Sequence, residues 1–155
     1  MAKIKAVFFD LDDTLFDCTG QLAKTARRRA AQVIARYSGR AGISRILRTM
    51  DQYYERGLST SQVIKRLSAG APKNRQAACA VEAMTAYNSG KVGNIRLFPD
   101  AMPLLKELKK RGISRVLITS GIMSRQTEKI RKLKLDEWMD LVFVHDIETG
   151  GEYKT

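Results

Sequence analysis

The segment Phe8–Asp17, FFDLDDTLFD, decides the fold of this 155-residue chain. An apolar run, Ile4–Phe9, precedes its acids and stops abruptly at Asp10 and Asp12. A short apolar run that ends in this way is typical of a buried strand carrying charged groups to its carboxyl end. Ligands bind at that end in open α/β sheets. The segment therefore predicts a site built around two acids at the edge of a parallel sheet.

Asp10 and Asp12 are two positions apart. Alternate residues of a strand point the same way, so we expect the two side chains to converge. Carboxylates that lie so close raise the cost of ionising each other, and a bound cation would offset that cost. Oxygen ligands suit a hard cation, so the expected metal is Mg²⁺, with one carboxylate free to attack an electrophile. The alternative is a strand that ends in a solvated acidic turn.

The run Asp10-Leu11-Asp12-Asp13-Thr14 after an apolar strand resembles the first motif of the haloacid dehalogenase-like (HAD) phosphohydrolases. The resemblance implies that Asp10 is the nucleophile that forms an aspartyl-phosphate, and that Asp12 is the acid/base. It also implies that Mg²⁺ is held by the Asp10 carboxylate and the Asp12 backbone carbonyl. Residues 8–24 and 126–136 are similar to archaeal members described as glyceraldehyde 3-phosphate phosphatases.

Composition narrows the class of protein. The chain is 44% apolar and 28% charged, which is ordinary for a globular domain. No apolar run approaches the roughly 20 residues of a membrane span. The cysteines, Cys18 and Cys79, match no metal-binding spacing and favour free thiols in a reducing compartment. We therefore expect a cytoplasmic protein with no membrane partner.

The net charge of +12 is concentrated in one segment, because residues 19–93 carry 14 Lys or Arg and 3 Asp or Glu. Such a segment attracts nucleic acids or smaller anions. A solvated helical surface is the preferred interpretation, because no nucleic-acid-binding motif and no interleaved aromatic residues accompany the charge. A phosphorylated substrate would also benefit from the positive field.

Apolar spacing predicts helices over residues 21–37, 43–54, 59–67 and 74–87, with no strand in 19–93. Ser59–Gln62 has the form of a capping box. The consecutive arginines Arg27–Arg29 are expected to be mostly solvated.

Core-type sequence resumes after residue 93. Strands are predicted at 115–119 and 141–144. Helices are predicted from Pro99 to Gly112 and from Ser124 to Leu133, the second with Lys129 and its other basic residues in solvent.

The spacing of the strands indicates an insertion. Asp10 and Thr119 are 109 positions apart, whereas a strand–helix–strand unit needs roughly 30. We predict an α/β fold with a Rossmann-like parallel-sheet core formed by residues 1–18 and 94–155. The resemblance implies that residues 19–93 are an inserted all-helical cap.

Three further residues complete the predicted site. Thr119-Ser120-Gly121 follows a strand, and the hydroxyls of Thr119 and Ser120, with the backbone amides, can bind phosphate oxygens. The segment resembles the family's second motif, which implies that Thr119 binds the phosphoryl group. Lys154 resembles the lysine of the third motif, which would neutralise the nucleophile and the phosphoryl group. Asp146 and Glu148 lie near the same edge and could approach the metal, although no spacing requires it.

The fourth motif, whose acids complete Mg²⁺ binding in the family, would follow Lys154 and is absent from the sequence, so the core is apparently truncated. The first strand is then expected at an edge, with Phe8 and Phe9 exposed, where a second copy could cover it. The first hypothesis is a magnesium-dependent phosphohydrolase for a small phosphorylated metabolite. The alternative is a non-enzymatic or inactive HAD-like module that acts through binding or association, and a nucleic-acid-binding protein is the least favoured.

Overall fold

The computed structural model describes residues 3–39, 42–147, 149–150 and, for the backbone alone, 152–154. The chain divides into two compact units, one formed by the residues up to Leu22 together with those from Val92 onward, the other by Ala23–Lys91. The sequence analysis predicts divisions after residues 18 and 93. No helix in the described part of the chain has the length and apolarity that crossing a bilayer requires.

The regular elements follow the order predicted from the sequence. The helices are α1 (Lys24–Ser38), α2 (Ile43–Glu55), α3 (Thr60–Ser68), α4 (Gln76–Asn88), α5 (Ala101–Lys110) and α6 (Met123–Lys132). The strands are β1 (Ala6–Phe9), β2 (Ser114–Gly121), β3 (Leu141–Asp146) and β4 (Glu152–Lys154). A π-helical turn, Thr19–Ala23, precedes α1, and single 3₁₀ turns lie at Lys73–Arg75 and Leu135–Glu137.

The first unit contains one sheet with strand order β1-β2-β3-β4. The first three strands are parallel, with Phe9 opposite Leu117 and Thr119 opposite Val144, which confirms the predicted α/β architecture. β4 was not predicted, and it pairs antiparallel with β3 so that Lys154 lies opposite Phe143. A segment of three residues is too short for its pattern to distinguish a strand from a loop.

One face of the sheet is covered. Because connections between parallel strands are right-handed, the order β1-β2-β3 directs α5 and α6 to the same face. Leu117 is fully buried there, and Val142 and Val144 are nearly so. The core continues into the loop after β1 and into both helices, with Leu11, Phe16, Leu105 and Leu135 fully buried and Ile130 nearly so.

The opposite face of the sheet is apolar and open. Phe8 is 65% exposed and Ile118 is 46% exposed, and these two residues line a hollow of about 340 Å³ with Phe143 and His145. The expectation that Phe8 is exposed is confirmed, but the same expectation for Phe9 is wrong, because Phe9 is only 8% exposed. Adjacent strand residues point to opposite faces, so only one of the two phenylalanines can lie on the open face.

The second unit consists of helices, with no strand among its described residues. Its core contains small side chains of α1, among them Ala30 and Ala31, which let neighbouring helices approach closely. The predicted capping box of α3 is present, because Ser59 and Gln62 each accept a hydrogen bond from the other's backbone N–H.

The expectation that Arg27–Arg29 are mostly solvated is wrong for two of the three. Arg27 stacks on the Tyr54 ring at 4.1 Å, and Arg29 donates to the carbonyls of Ala86 and Tyr87. Helical residues two positions apart can place their long stems against different neighbours while the residue between them stays in solvent. Part of the basic charge of this unit is therefore used within the fold.

An ion pair fixes the start of β2. Arg115 is 6% exposed, and its Nε and Nη2 atoms donate to the two carboxylate oxygens of Asp140 at 3.1 and 2.6 Å. The Arg115 amide donates to the same carboxylate at 2.8 Å. These bonds from Arg115 hold the pKa of Asp140 below its ordinary value.

The adjacent phenylalanines provide a test of the two sheet faces. We expect Phe9→Ala to lower the free energy of unfolding of the 155-residue chain by about 3–5 kcal/mol, because it leaves a cavity in the core. Phe8→Ala should cost about 1 kcal/mol or less, because its ring is mostly in solvent. Urea unfolding measures both, and equal losses would contradict the assignment of Phe8 to an open face.

Asp140→Asn should lower the free energy of unfolding at pH 7 by about 1–2 kcal/mol, near the low end for charged hydrogen bonds because Asp140 is partly exposed. A depressed pKa gives stability that is present above the unfolded-state pKa and lost as the pH falls. The difference between the wild type and the variant should therefore shrink below about pH 4. Urea unfolding at several pH values measures it, and a difference that grows on acidification would contradict the pairing.

Candidate active site

The loop after β1 is fixed by its apolar residues. Leu11 and Phe16 are fully buried and Leu15 nearly so, while Asp10, Asp13 and Thr14 are exposed. The Leu15 amide donates to the Leu11 carbonyl at 3.1 Å, which closes the loop into a turn. The buried residues thus hold the polar ones at the carboxyl edge of the sheet.

The aspartates of this loop have different environments. The Asp10 carboxylate is exposed and accepts a long 3.5 Å hydrogen bond from the Thr14 hydroxyl. Asp13 has φ 57° and accepts bonds from the amide and hydroxyl of Thr19, both at 2.8 Å, so its carboxylate has a structural partner. β1 ends at Phe9, so the strand alternation that led us to expect convergence of Asp10 and Asp12 does not extend to them.

Asp12 is paired with a lysine that the sequence analysis placed in solvent. The Lys129 ammonium donates to both Asp12 carboxylate oxygens at 2.8 Å. The side chain of Lys129 is 7% exposed and that of Asp12 is 32% exposed. The expectation that Lys129 is solvated is therefore wrong.

Thr119 lies at the carboxyl end of β2 and is 3% exposed. Its hydroxyl accepts a 2.7 Å bond from the side-chain amide of Gln126, which also donates to the Ser120 carbonyl at 3.0 Å and lies 3.3 Å from an Asp12 oxygen. The Ser120 side chain is exposed. The structure thus brings Asp12, Thr119 and the Ser120 backbone around one amide group.

The missed residues, Gln126 and Lys129, had a signal in the sequence. Residues 126, 129, 130 and 133 form an i, i+3, i+4, i+7 stripe, and all four are buried. Because Ile130 and Leu133 face the core, the polar members of the stripe must face inward too. A buried Gln and a buried Lys need partners, so their position indicates a polar site beneath α6.

The remaining predicted residues are described less fully. Lys154 lies in β4, but its side chain lies outside the described residues, as does all of Glu148. Asp146, at the end of β3, is 7% exposed and accepts bonds from the Met123 amide at 3.2 Å and the Thr149 hydroxyl at 2.8 Å. Its carboxylate therefore holds the start of α6.

Cys18 lies beside the Asp12–Lys129 pair but does not have the character of a nucleophile. Its sulfur is 3.9 Å from the Lys129 ammonium. Burial raises the pKa of the Cys18 thiol to about 12, and the opposing effect of Lys129 does not overcome it. Since the thiolate is the reactive form, Cys18 is a neutral thiol near pH 7.

Oxygen groups of the kind that bind Mg²⁺ lie at the carboxyl edge of the sheet, where the sequence analysis expects the metal. None of the ion pairs among the described residues includes Asp10, whereas Asp12 has Lys129 as its countercharge. The Asp10 carboxylate and the backbone carbonyls of its loop are hard oxygen donors that fit Mg²⁺. No cluster of three His, Cys, Asp or Glu side chains suited to a metal occurs in the described part of the chain.

Comparison with known proteins finds relatives that align with almost the whole of this chain. It is 32% identical over 153 residues to glyceraldehyde 3-phosphate phosphatase of Pyrococcus furiosus, a match that covers 96% of this chain and 62% of the relative. It is 29% identical over 160 residues to ribulose-1,5-bisphosphate 5-phosphatase of Halopiger xanaduensis, covering 95% of this chain and 65% of the relative. The chain thus spans less than two thirds of the length of these curated relatives.

A solved structure shares the fold. The crystal structure of a HAD hydrolase, family IA, variant 3, from Entamoeba histolytica matches with a TM-score of 0.59 at 23% identity, over 88% of this chain and 58% of that one. The family profile for haloacid dehalogenase-like hydrolases matches residues 4–154. This match includes both units and every predicted site residue, and the chain belongs to the haloacid dehalogenase-like hydrolase family.

Proposed function

We propose that the protein is a magnesium-dependent phosphatase that hydrolyses a small phosphorylated metabolite through an aspartyl-phosphate on Asp10. One observation carries the proposal. The exposed Asp10 carboxylate follows β1 at the same edge of the sheet where Gln126 joins Asp12 to Thr119. A nucleophile, an acid/base and a phosphate-binding hydroxyl are the groups that phosphoryl transfer to a carboxylate requires.

In the first step an Asp10 carboxylate oxygen attacks phosphorus. The new bond between this oxygen and phosphorus forms as the ester bond breaks, and the electron pair of the broken bond leaves with the alcohol oxygen. That oxygen takes the proton that the Asp12 carboxyl group carries into this step and recovers from water in the next. In the second step water attacks phosphorus and gives a proton to Asp12, and the bond to Asp10 breaks to release phosphate. The Thr119 hydroxyl, Ser120 and Lys154 would bind the phosphoryl oxygens in both steps.

The residues that would hold Mg²⁺ are the Asp10 carboxylate and the Asp12 backbone carbonyl. When bound, the metal supplies positive charge that offsets the negative charge of the phosphate and the attacking carboxylate. Lys129 already neutralises the Asp12 carboxylate, so the charge that needs a cation is that of Asp10 and the substrate.

The proposed substrate is a small phosphorylated carbohydrate, the class to which the substrates in the names of both relatives belong. The second unit carries 14 Lys or Arg and 3 Asp or Glu, and its positive field would attract such an anion. The proposed compartment is the cytoplasm, because Cys18 and Cys79 are free thiols.

The open sheet face favours a second candidate function, an association module. Phe8, Ile118 and Leu141 expose apolar surface of the kind that another protein surface covers. In this candidate the partner is a second copy of the chain. Concentration-dependent dimerisation in sedimentation, weakened by Phe8→Ser, together with no magnesium-dependent turnover, would favour it over the phosphatase.

Asp10→Asn tests the proposed chemistry. We expect magnesium-dependent hydrolysis of p-nitrophenyl phosphate to fall by at least about 10³-fold, because an amide cannot serve as the nucleophile. Removal of the metal with EDTA should abolish wild-type turnover, and added Mg²⁺ should restore it. Released p-nitrophenolate is measured by its absorbance.

Asp13→Asn is the matched control, because it makes the same chemical change three residues away. Asn adopts the left-handed backbone conformation of residue 13 readily, and its side-chain oxygen can still accept a bond from Thr19. This variant should keep most of the activity. Full activity in Asp10→Asn, or equal losses in both variants, would refute Asp10 as the nucleophile.

A further inference from the structure

Two long polar side chains of α6 are buried. Gln126 is 2% exposed and Lys129 is 6% exposed. Burying a charged group is costly unless a partner of opposite charge and good hydrogen bonds accompany it. Both side chains reach the candidate active site and find their partners there. A leucine at either position would avoid the cost of burying a polar group, so these two residues are not explained by packing alone.

Lys129 restrains the carboxylate of Asp12. Its ammonium is equidistant from the two carboxylate oxygens, at 2.8 Å from each, and it lies 5.9 Å from the centre of the Phe16 ring. An ion pair in such partly apolar surroundings is stronger than one in water. Contact with both oxygens fixes the direction of the carboxylate as well as its distance.

Gln126 connects this carboxylate to the end of β2. Its side-chain amide has two hydrogens and three oxygen neighbours: those of Thr119 at 2.7 Å, Ser120 at 3.0 Å and Asp12 at 3.3 Å. Gly121 leaves room for this arrangement, since a Cβ at that position would lie 3.0 Å from the Gln126 side-chain carbon Cδ. A group from the β1 loop and a group from β2 are therefore held by one side chain.

The helix that carries both residues is itself fixed. Its first amide, that of Met123, donates to buried Asp146 on β3, and Ile130 and Leu133 pack in the core. Side chains on a packed helix hold a constellation more accurately than side chains on a loop.

We propose that Lys129 and Gln126 are positioning residues of the phosphoryl-transfer site. This inference rests on the proposed function. Lys129 directs the Asp12 carboxylate toward the oxygen of the departing alcohol, and Gln126 sets the distance between Asp12 and the phosphate-binding hydroxyl of Thr119. Each acts through another residue, Lys129 through Asp12 and Gln126 through Asp12 and Thr119.

The role of Asp12 provides a readout that distinguishes positioning from general structural support. An alkoxide is a poor leaving group and needs a proton as it departs, whereas p-nitrophenolate leaves without one. The ratio kcat/KM covers the steps up to the first bond cleavage, so it reports on this proton transfer. A residue that acts through Asp12 must therefore affect alkyl phosphates more than aryl phosphates.

The test compares Lys129→Met with the wild type on glyceraldehyde 3-phosphate and on p-nitrophenyl phosphate. Methionine keeps much of the lysine stem and removes the charge. We expect kcat/KM for the alkyl phosphate to fall by about 10²-fold, and by much less for the aryl phosphate. In the Asp12→Asn background the same substitution should add little further loss, because residues acting as a unit are not additive.

Arg131→Met is the matched control, because it removes a positive charge from an exposed position of the same helix. It should leave kcat/KM unchanged on both substrates. Equal losses of Lys129→Met on both substrates, or full additivity with Asp12→Asn, would overturn the positioning role and leave the proposed function intact. Absence of turnover in the wild type on both substrates would overturn the proposed function, and the positioning role with it.

Gln126→Met provides a second test, which still applies if Lys129→Met does not fold. It keeps the volume and removes the amide, so we expect the same preference for loss on the alkyl phosphate together with a raised KM, because Thr119 loses its partner. Circular dichroism and urea unfolding verify the fold of each variant. A folded Gln126→Met enzyme with wild-type kcat/KM on both substrates would overturn the role assigned to Gln126.

Discussion

The parallel pairing of β1, β2 and β3 is the constraint on which the candidate site depends. Parallel strands bring their carboxyl ends to one edge, so Asp10, Thr119 and Asp146 reach the same side of the sheet although they are distant in sequence. Backbone hydrogen bonds between strands hold this alignment independently of the side chains at the edge. The strands therefore stay aligned even though the carboxylates at this edge repel each other.

Most of the fold can be predicted from the periodicity of apolar residues and from the polar and capping residues that bound each element. Short apolar runs that end in polar residues predicted β1, β2 and β3, and the Ser59 capping box predicted the start of α3. The unpredicted strand, β4, is too short to show an alternation, and its pairing is a long-range contact. Phe9 was misassigned because the edge position of β1 was treated as exposing the whole strand, whereas burial is decided separately for each face.

The residues of the candidate site that belong to a motif could be predicted from the sequence. Lys129 was missed because it is buried, whereas most lysines are exposed. Asp10, Asp12 and Thr119 follow strands, so their location was inferred directly. Lys129 was assigned to solvent because lysines rarely lie in cores. Its place on the apolar stripe of α6 was the stronger signal, since a helix orients a residue by its position and not by its polarity.

Asp10 and Asp12, the two acids of the β1 loop that are assigned to the reaction, differ in their countercharges. Asp12 receives a built-in cation from α6, whereas Asp10 is exposed and takes part in no ion pair among the described residues. A carboxylate that is already paired and restrained suits proton transfer along a fixed direction. A carboxylate that is accessible and has no ion-pair partner suits attack on phosphorus beside a metal, because its charge is available to the metal and to phosphorus. The same ion pair that stabilises the loop thus makes two chemically identical side chains unequal, which a reaction with one nucleophile and one acid/base requires.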